Sequence, residues 1–507
     1  MKKRFFLGVV ICSVLLVSIF TGCNRPTTPG SMSGRDIVIA NVTEIRNLDV
    51  HAFQEVVTSR ATRHIFSNLV RLRSDMNFHP DLAESWEFLS DTEILFNLRR
   101  DVRWHDGTDF KASDVIFSFN RQRQSPAVGF LMDPIRDVIA DDDYTIRIIL
   151  HEPYAPLMAN LAHVCSAILP ERAVTERGTA FSTNPVGTGS MRFVEMIPGD
   201  RLVLERNEDY HGVIALAPRL IFRTIPEEAT RSIALETGEI HFDPEVAPPN
   251  VARVMAHPNL RLHSWPSIFT EFVMFNTKAP PFDNVLVRQA VAHAIDRETI
   301  IQIGVEGHGR SVETVLPPGV LGHTTEYRRF PRDLTQSREL LTRAGFPNGF
   351  STEILVSGDL RTRKAVIVQA NLAEVGIRAD IRTVEHAALM EAYSTGNYYI
   401  SLSAWGNGTG DPEGSLFPVF FSGMQGVGGN RAWFECPEVD YWLLRGRATL
   451  VENERAHAYA QATKLIMEQV PWVPLYNRIF LIGTHADLRG IDEHPTGYDA
   501  YDMLHFP

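Results

Sequence analysis

Residues 81–121, DLAESWEFLSDTEILFNLRRDVRWHDGTDFKASDVIFSFNR, decide the fold. Ile94, Phe96 and Leu98 alternate with Glu93, Leu95 and Asn97, the two-residue period of a strand buried chiefly on one face. The segment reads as a strand, a turn, a second strand ending in Trp104-His105-Asp106-Gly107, and then a helix, with Asp106-Gly107 a strong turn signal. The helix begins at Ala112. Ser113 and Asp114 place a hydroxyl and a carboxylate in its first turn, where unpaired N–H groups and the helix dipole favour them, while Val115, Phe117 and Phe119 supply apolar surface. No catalytic chemistry is needed to explain any of it.

Further along the chain the pattern is again helix and strand in alternation. Val287, Ala290, Val291, Ala294 and Ile295 form one apolar helical stripe after Asp283-Asn284, with Arg288, Gln289, His293 and Asp296 facing elsewhere. From Ala365, the residues Val368, Leu372 and Val375 make a helical face. Gly376 suits the position after the last turn, and Ile377, Ala379 and Ile381 alternate as a strand. Leu340, Leu341 and Ala344, followed by Gly345 and Pro347, give another helix with a clear stop. Such helix-Gly-strand units build α/β lobes, and the lack of a fixed period excludes solenoids and propellers.

A chain of 507 residues is too long for one hydrophobic core and predicts two or three packed units. Its formal charge of −12, with no concentrated Lys/Arg face, argues against nucleic acid as a partner. Residues 1–22 have a basic start and an almost wholly apolar run, the pattern of a secretory signal too short to span a membrane. Cys23, after small residues, resembles a bacterial lipoprotein cleavage site, with Phe20 where that motif usually has Leu; ordinary signal cleavage nearby is the alternative. Residues 23–34, rich in Pro, Thr, Ser and Gly, read as a flexible tether. Cys12 lies in the signal, so Cys165 and Cys436 remain. They pair only if their Cα atoms come within about 7 Å, and two unpaired thiols are the default.

The element order and the WHDG corner resemble the family 5 extracellular solute-binding proteins, receptors that feed dipeptide, oligopeptide, nickel and related ABC importers. Five further segments carry the resemblance in order: 184–189 (NPVGTG, then Ser190-Met191 where Pro-Tyr is usual), 234–240 (ALETGEI, with His241 where Asp is usual), 272–300, 338–350 and 371–382. The resemblance implies a bilobed α/β fold of the type II periplasmic-binding-protein kind with an extra domain and a ligand cleft between lobes. Lobe I would take residues 35–71, 185–270 and 480–507, the extra domain 72–184, and lobe II 271–479.

The Gly-rich tract Trp405-Gly406-Asn407-Gly408-Thr409-Gly410-Asp411, after a strand-like 399–403, lets backbone N–H groups approach a ligand, with Trp405 a flat wall and Asp411 a fixed negative charge; a surface loop is the plain alternative. In dipeptide and oligopeptide receptors this tract carries an Asp, three residues after the Trp, that pairs with the ligand's α-amino group. Gly408 stands at that position here. Gln54 and Val56 match residues that bond the peptide backbone in strand fashion, or else form a plain loop. Arg361, near Arg363 and Lys364, would suit a ligand carboxylate or begin a solvated helix, and Tyr476 would line the cleft or pack in the core.

Eighteen histidines invite a metal reading, but no HExxH, HxH or His/Cys cluster supports one, and no GxSxG nucleophile elbow is present. The expectation is therefore no enzyme, no cofactor and no metal. The chain reads as a monomeric, lipid-anchored receptor in the periplasm or on the outer face of the cell membrane, capturing a small polar solute, peptide-like first. Opines, sugar conjugates, glutathione-like compounds and chelated metals stay open because of Gly408. Its partners would be ABC permease and ATPase subunits. A secreted hydrolase and a lipoprotein acting as sensor or chaperone are the rival readings.

Overall fold

The computed structural model describes residues 34–52, 55–426, 429–497 and 500–507, so the expected signal, Cys23, most of the tether and Gln54 lie outside the described residues. Strands Ala83–Ser90 and Glu93–Leu98 form the expected hairpin, with Ile94, Phe96 and Leu98 buried on one face and Trp86 against Phe96 at 6.4 Å between ring centroids. Strands Thr145–Leu150 and Ile135–Asp142 extend it into a four-stranded antiparallel sheet. The second strand does not reach Trp104. It stops at Leu98, and the corner beyond is closed by Trp104 N–H donating to the Thr108 carbonyl at 2.8 Å, with Gly107 at φ 86°. Helix Ala112–Arg123 follows, and the Asp114 carboxylate accepts from the Lys111 N–H at 3.0 Å and from Trp104 Nε1 at 3.3 Å, tying the corner to the helix start.

Two motifs far apart in sequence meet here. His105 N–H donates to the Gly187 carbonyl at 2.8 Å, and His105 Nε2 to the Gly189 carbonyl at 3.0 Å. The NPVGTG turn needs its glycines for close approach: a Cβ on Gly187 would stand 1.8 Å from the Ile65 carbonyl oxygen, and one on Gly189 2.2 Å from that of His64.

The backbone of the molecule is an eleven-stranded mixed sheet. Its centre is a pair of long antiparallel strands, Leu260–Phe275 and Trp472–His485, paired from Leu260 opposite His485 to Met274 opposite Trp472 with register shifts between Pro266 and Thr270 and between Glu271 and Phe272. On one side of the pair lie Phe242–Asp243, Ile37–Asn41, Arg219–Thr224, Arg201–Arg206 and Met191–Ile197; on the other lie Ile400–Trp405, Ser351–Val356 and Arg378–Thr383, and the short eleventh strand Gly309–Ser311 pairs with Trp472–His485 off this order. The buried apolar residues divide in the same way. Two clusters draw only on residues 37–265 and 481–504, and two only on 268–476. The result is a bilobed α/β fold in which two continuous strands carry the chain from one core to the other.

Helix Val285–Ala294 buries the expected stripe, but Arg288, Gln289 and His293 are buried too. Arg288 satisfies its guanidinium on the carbonyls of Phe282, Asp283, Gln469 and Val470, which lets a charged side chain sit in a core. The helix expected from Ala365 begins earlier, at Asp359, and Gly376, at φ 88°, ends that unit before the strand Arg378–Thr383. Cys165 and Cys436 are not paired with each other.

Candidate functional site between the lobes

The Gly-rich tract leaves strand Ile400–Trp405 and runs into helix Pro412–Phe420. Most of its polar atoms are spent on its own shape. Buried Asn407 accepts from Thr409 N–H at 3.0 Å and from its hydroxyl at 2.7 Å, and donates to Ser415 Oγ at 2.9 Å. Asp411 accepts from the Glu413 N–H at 2.8 Å, capping the helix, and from Arg455 Nη2 at 2.6 Å. The negative charge expected to face a ligand is therefore neutralised within the lobe. Trp405 is half-buried against its own lobe's core and donates Nε1 to the Gly414 carbonyl at 2.9 Å. Gly406 lies so close to Phe269 that a Cβ would stand 1.9 Å from the ring, and a Cβ on Gly410, at φ 71°, would stand 2.3 Å from Met76 Cε.

Gly408, like Gly410, faces the opposite half. It borders a cavity of about 30 Å³ together with Arg63, Asn68, Arg71, His494 and Thr496. Arg361 borders another, of about 700 Å³, with Arg363, Lys364, Glu271 and Arg478, and Glu228 on the facing helix Glu228–Glu236. Arg361 lies in the first turn of its helix rather than before it, and its Nε has no hydrogen-bond partner among the described residues.

Of two further candidates, Val56 departs from its expected strand and Tyr476 takes the core-packing alternative. Val56 opens helix Val56–Ile65 instead of forming a strand, and Glu55, just before it, has an extended backbone. Tyr476 is buried in the second lobe's core, where its hydroxyl accepts from Lys364 Nζ at 3.1 Å and burial pushes the phenol well up.

Sequence reasoning missed the charged cluster beneath the larger cavity. Lys364 Nζ lies 2.6 Å from Glu271, with their side chains 0% and 2% exposed, and Arg478 pairs with the other carboxylate oxygen. Burial alone would raise the Glu271 carboxyl; Lys364 and Arg478 override it and hold it at about 2. Glu271 and Arg478 sit on the two long strands and Lys364 on a helix of the second lobe, so the cluster pins that helix to the interlobe connection. The three residues are too far apart in sequence to form a local pattern.

Two α/β lobes joined by crossing strands and enclosing polar cavities define a periplasmic-receptor type of binding protein. A family model for the bacterial extracellular solute-binding proteins, family 5 (middle region), matches residues 77–426, and the chain belongs to that family. It is 29% identical over 477 residues to heme-binding protein A of Haemophilus influenzae, covering 87% of this chain and 86% of that one. It is 28% identical over 459 residues to the dipeptide-binding protein of Escherichia coli, covering 84% and 85%. The structure of the periplasmic binding protein DppA from Helicobacter pylori, in complex with the peptide STSA, superposes with a TM-score of 0.84 at 26% identity over 93% of this chain and 98% of that one. The molecule is a solute receptor and not an enzyme, which removes the hydrolase reading.

Proposed function

We propose that this receptor captures a small polar solute, peptide-like first, by closing its lobes, and delivers it to the permease and ATPase subunits of an ABC importer. The observation that carries this reading is that both interlobe cavities are lined from the two halves: Glu228 with Arg361 and Arg478 in the larger, and the side chains of Arg63 and Arg71 with the backbone of Gly408 in the smaller. Ligand contacts made to both halves at once exist only in the closed arrangement, and that difference is what drives closure. The relatives' ligands, a dipeptide and the peptide STSA among them, support a peptide-sized cargo.

On this reading lobe I comprises residues 35–71, 185–270 and 480–507, the extra domain residues 72–184, and lobe II residues 271–479. The backbone of residues 406–409 and the Arg361 guanidinium would touch the solute, whereas Asp411 and Tyr476 hold the scaffold. Signal cleavage before Cys23 and its lipidation would tether the receptor, a monomer on this reading, at the outer face of the cell membrane. Native mass spectrometry of freshly purified protein, joined to small-angle scattering with and without the recovered solute, tests this. A retained small molecule and a more compact particle on its addition are expected; an unchanged scattering curve with product formation would overturn it.

A further inference from the structure

An apolar side chain of the first half crosses to the second. Strands Val70–Leu72 and Phe78–Pro80 pair as a hairpin, and Arg73 N–H donates to the Asn77 carbonyl at 3.2 Å, so the loop they enclose is Ser74-Asp75-Met76. Met76 N–H donates to the Arg73 carbonyl at 2.8 Å, and Met76 stands at φ 61°. In three-residue hairpin loops the last residue is commonly left-handed, and Gly or Asn takes that conformation at the least steric cost. A methionine there is accounted for by its side chain and not by its backbone. Arg73, Ser74, Asp75 and Asn77 are exposed, but Met76 is partly buried and packs on the apolar cluster of the second half that holds Phe272, Leu416 and Phe417. The other partly buried side chains packed on that cluster come from residues 327–465. The recess that receives Met76 is made by Gly410, itself at φ 71°: the Cβ that this residue lacks would stand 2.3 Å from Met76 Cε and 3.5 Å from Leu72 Cδ2. The loop is braced from within, since the Asp75 carboxylate accepts from Asn77 N–H at 2.9 Å and lies 2.8 Å from His79 Nε2.

We propose that Met76 is a positioning residue for capture: seated in the Gly410 recess, it clasps the hairpin of the first half to the Gly-rich tract of the second and holds the backbone of residues 406–409 over the solute. Leu72, which shares the recess, also borders the smaller cavity with Gly408, so the clasp lies beside the interlobe space and not at a remote edge. An apolar contact made across the two halves is lost when they part, so it stabilises the closed arrangement alone and acts on opening more than on encounter. The internally bonded loop needs little ordering as it docks, and the unbranched thioether adapts to the recess. The inference rests on the receptor reading above and adds to it the residue that sets how long the solute is retained.

The test uses the full mature protein with Ala-Ala and Ala-Ala-Ala as probes, association and release being followed by stopped-flow tryptophan fluorescence and the empty protein by its melting temperature. Met76→Gly should speed release of whichever peptide binds by about tenfold and leave association within about twofold of its original rate. The melting temperature of the empty variant should be unchanged or raised, because glycine favours the left-handed turn position. Met76→Leu, which keeps the apolar volume, should return release to within about twofold of the unaltered protein. Gly410→Ala should weaken binding less in the Met76→Gly background than alone, since the new Cβ then has the vacated space. Unchanged release in Met76→Gly, or additive effects of the two substitutions, overturns the inference and leaves the receptor reading standing. Binding of neither peptide by the unaltered protein removes the peptide-like reading, and this inference with it.

Discussion

The backbone N–H of Ala155 donates to the carbonyl of Arg447 at 2.8 Å, joining the segment that precedes the NPVGTG turn to the end of helix Pro437–Ala448 in the opposite half. Around this bond the Arg447 guanidinium stacks over Phe417, at 3.8 Å from the ring centroid, and Tyr154, at 5.1 Å, and reaches Glu413 at 3.3 Å. Glu413 is two residues beyond Asp411, so the Gly-rich tract and this cross-lobe contact share one helix start. The local packing of the tract is thereby coupled to this contact between the two halves.

Burial is the main influence on Glu413 and pushes its carboxyl up to about 7; Arg447 and Arg455 oppose that shift and Asp411 adds to it. In the unfolded chain the group loses its proton near the usual 4.5, so as pH rises from about 4.5 to about 7 the unfolded state is favoured progressively, and the effect levels off above that window. Glu413→Gln should therefore flatten the part of the melting-temperature profile that declines over this range. Parallel profiles for the two proteins would show that Glu413 titrates as an ordinary surface acid.

Lys364→Met should be strongly destabilising, by about 3–5 kcal/mol, because it leaves the Glu271 carboxylate buried with one of its two cationic partners gone. Glu271→Gln combined with Lys364→Met should cost less than Lys364→Met alone, since the double variant removes the buried carboxylate and its ammonium together and the remaining cation, Arg478, has a side chain 42% exposed to solvent. Urea unfolding of the set measures this. Additive losses would mean that the pair is not coupled.

Gly187→Ala should lower the urea midpoint by the equivalent of about 1–3 kcal/mol or more, since a Cβ there meets a backbone oxygen, which cannot swing aside as a flexible side chain would. A neutral outcome would show that helix Val56–Ile65 can shift away from the turn.

The hairpin and the helix after it were legible because burial on one face imposes a period of two or of 3.6 on neighbouring residues. Ile94, Phe96 and Leu98 show that period, and so do Val287, Ala290 and Val291. The end of the second strand was not legible, because Val102 and Trp104 are apolar and buried in a corner that is not strand. The docking of His105 on Gly187 joins residues 82 apart, and local patterning carries no signal of it. Asp411 was misread for the same reason: its partner, Arg455, comes 44 residues later on another helix. Cleft chemistry depends on which charges are already paired, and pairing is a property of tertiary structure.

That distinction yields a last prediction, which separates residues that touch the solute from residues that hold the site. Arg361 is partly exposed in the larger cavity and has an unsatisfied Nε, so Arg361→Ala should leave the melting temperature of the empty protein nearly unchanged. It should weaken binding of the recovered solute by about 10- to 100-fold, the loss of a charge-assisted hydrogen bond worth about 1.5–3 kcal/mol. Asp411→Ala removes both a helix cap and the partner of Arg455, and should destabilise the empty protein by about 2 kcal/mol or more. Any weakening of binding in that variant should follow from loosening of the tract and be largely restored in Asp411→Asn, which keeps the capping oxygen. Calorimetric affinities and empty-state melting temperatures measured on the same preparations decide it. If Arg361→Ala destabilises while Asp411→Ala affects affinity alone, the two residues have exchanged roles and the solute is held by the acid.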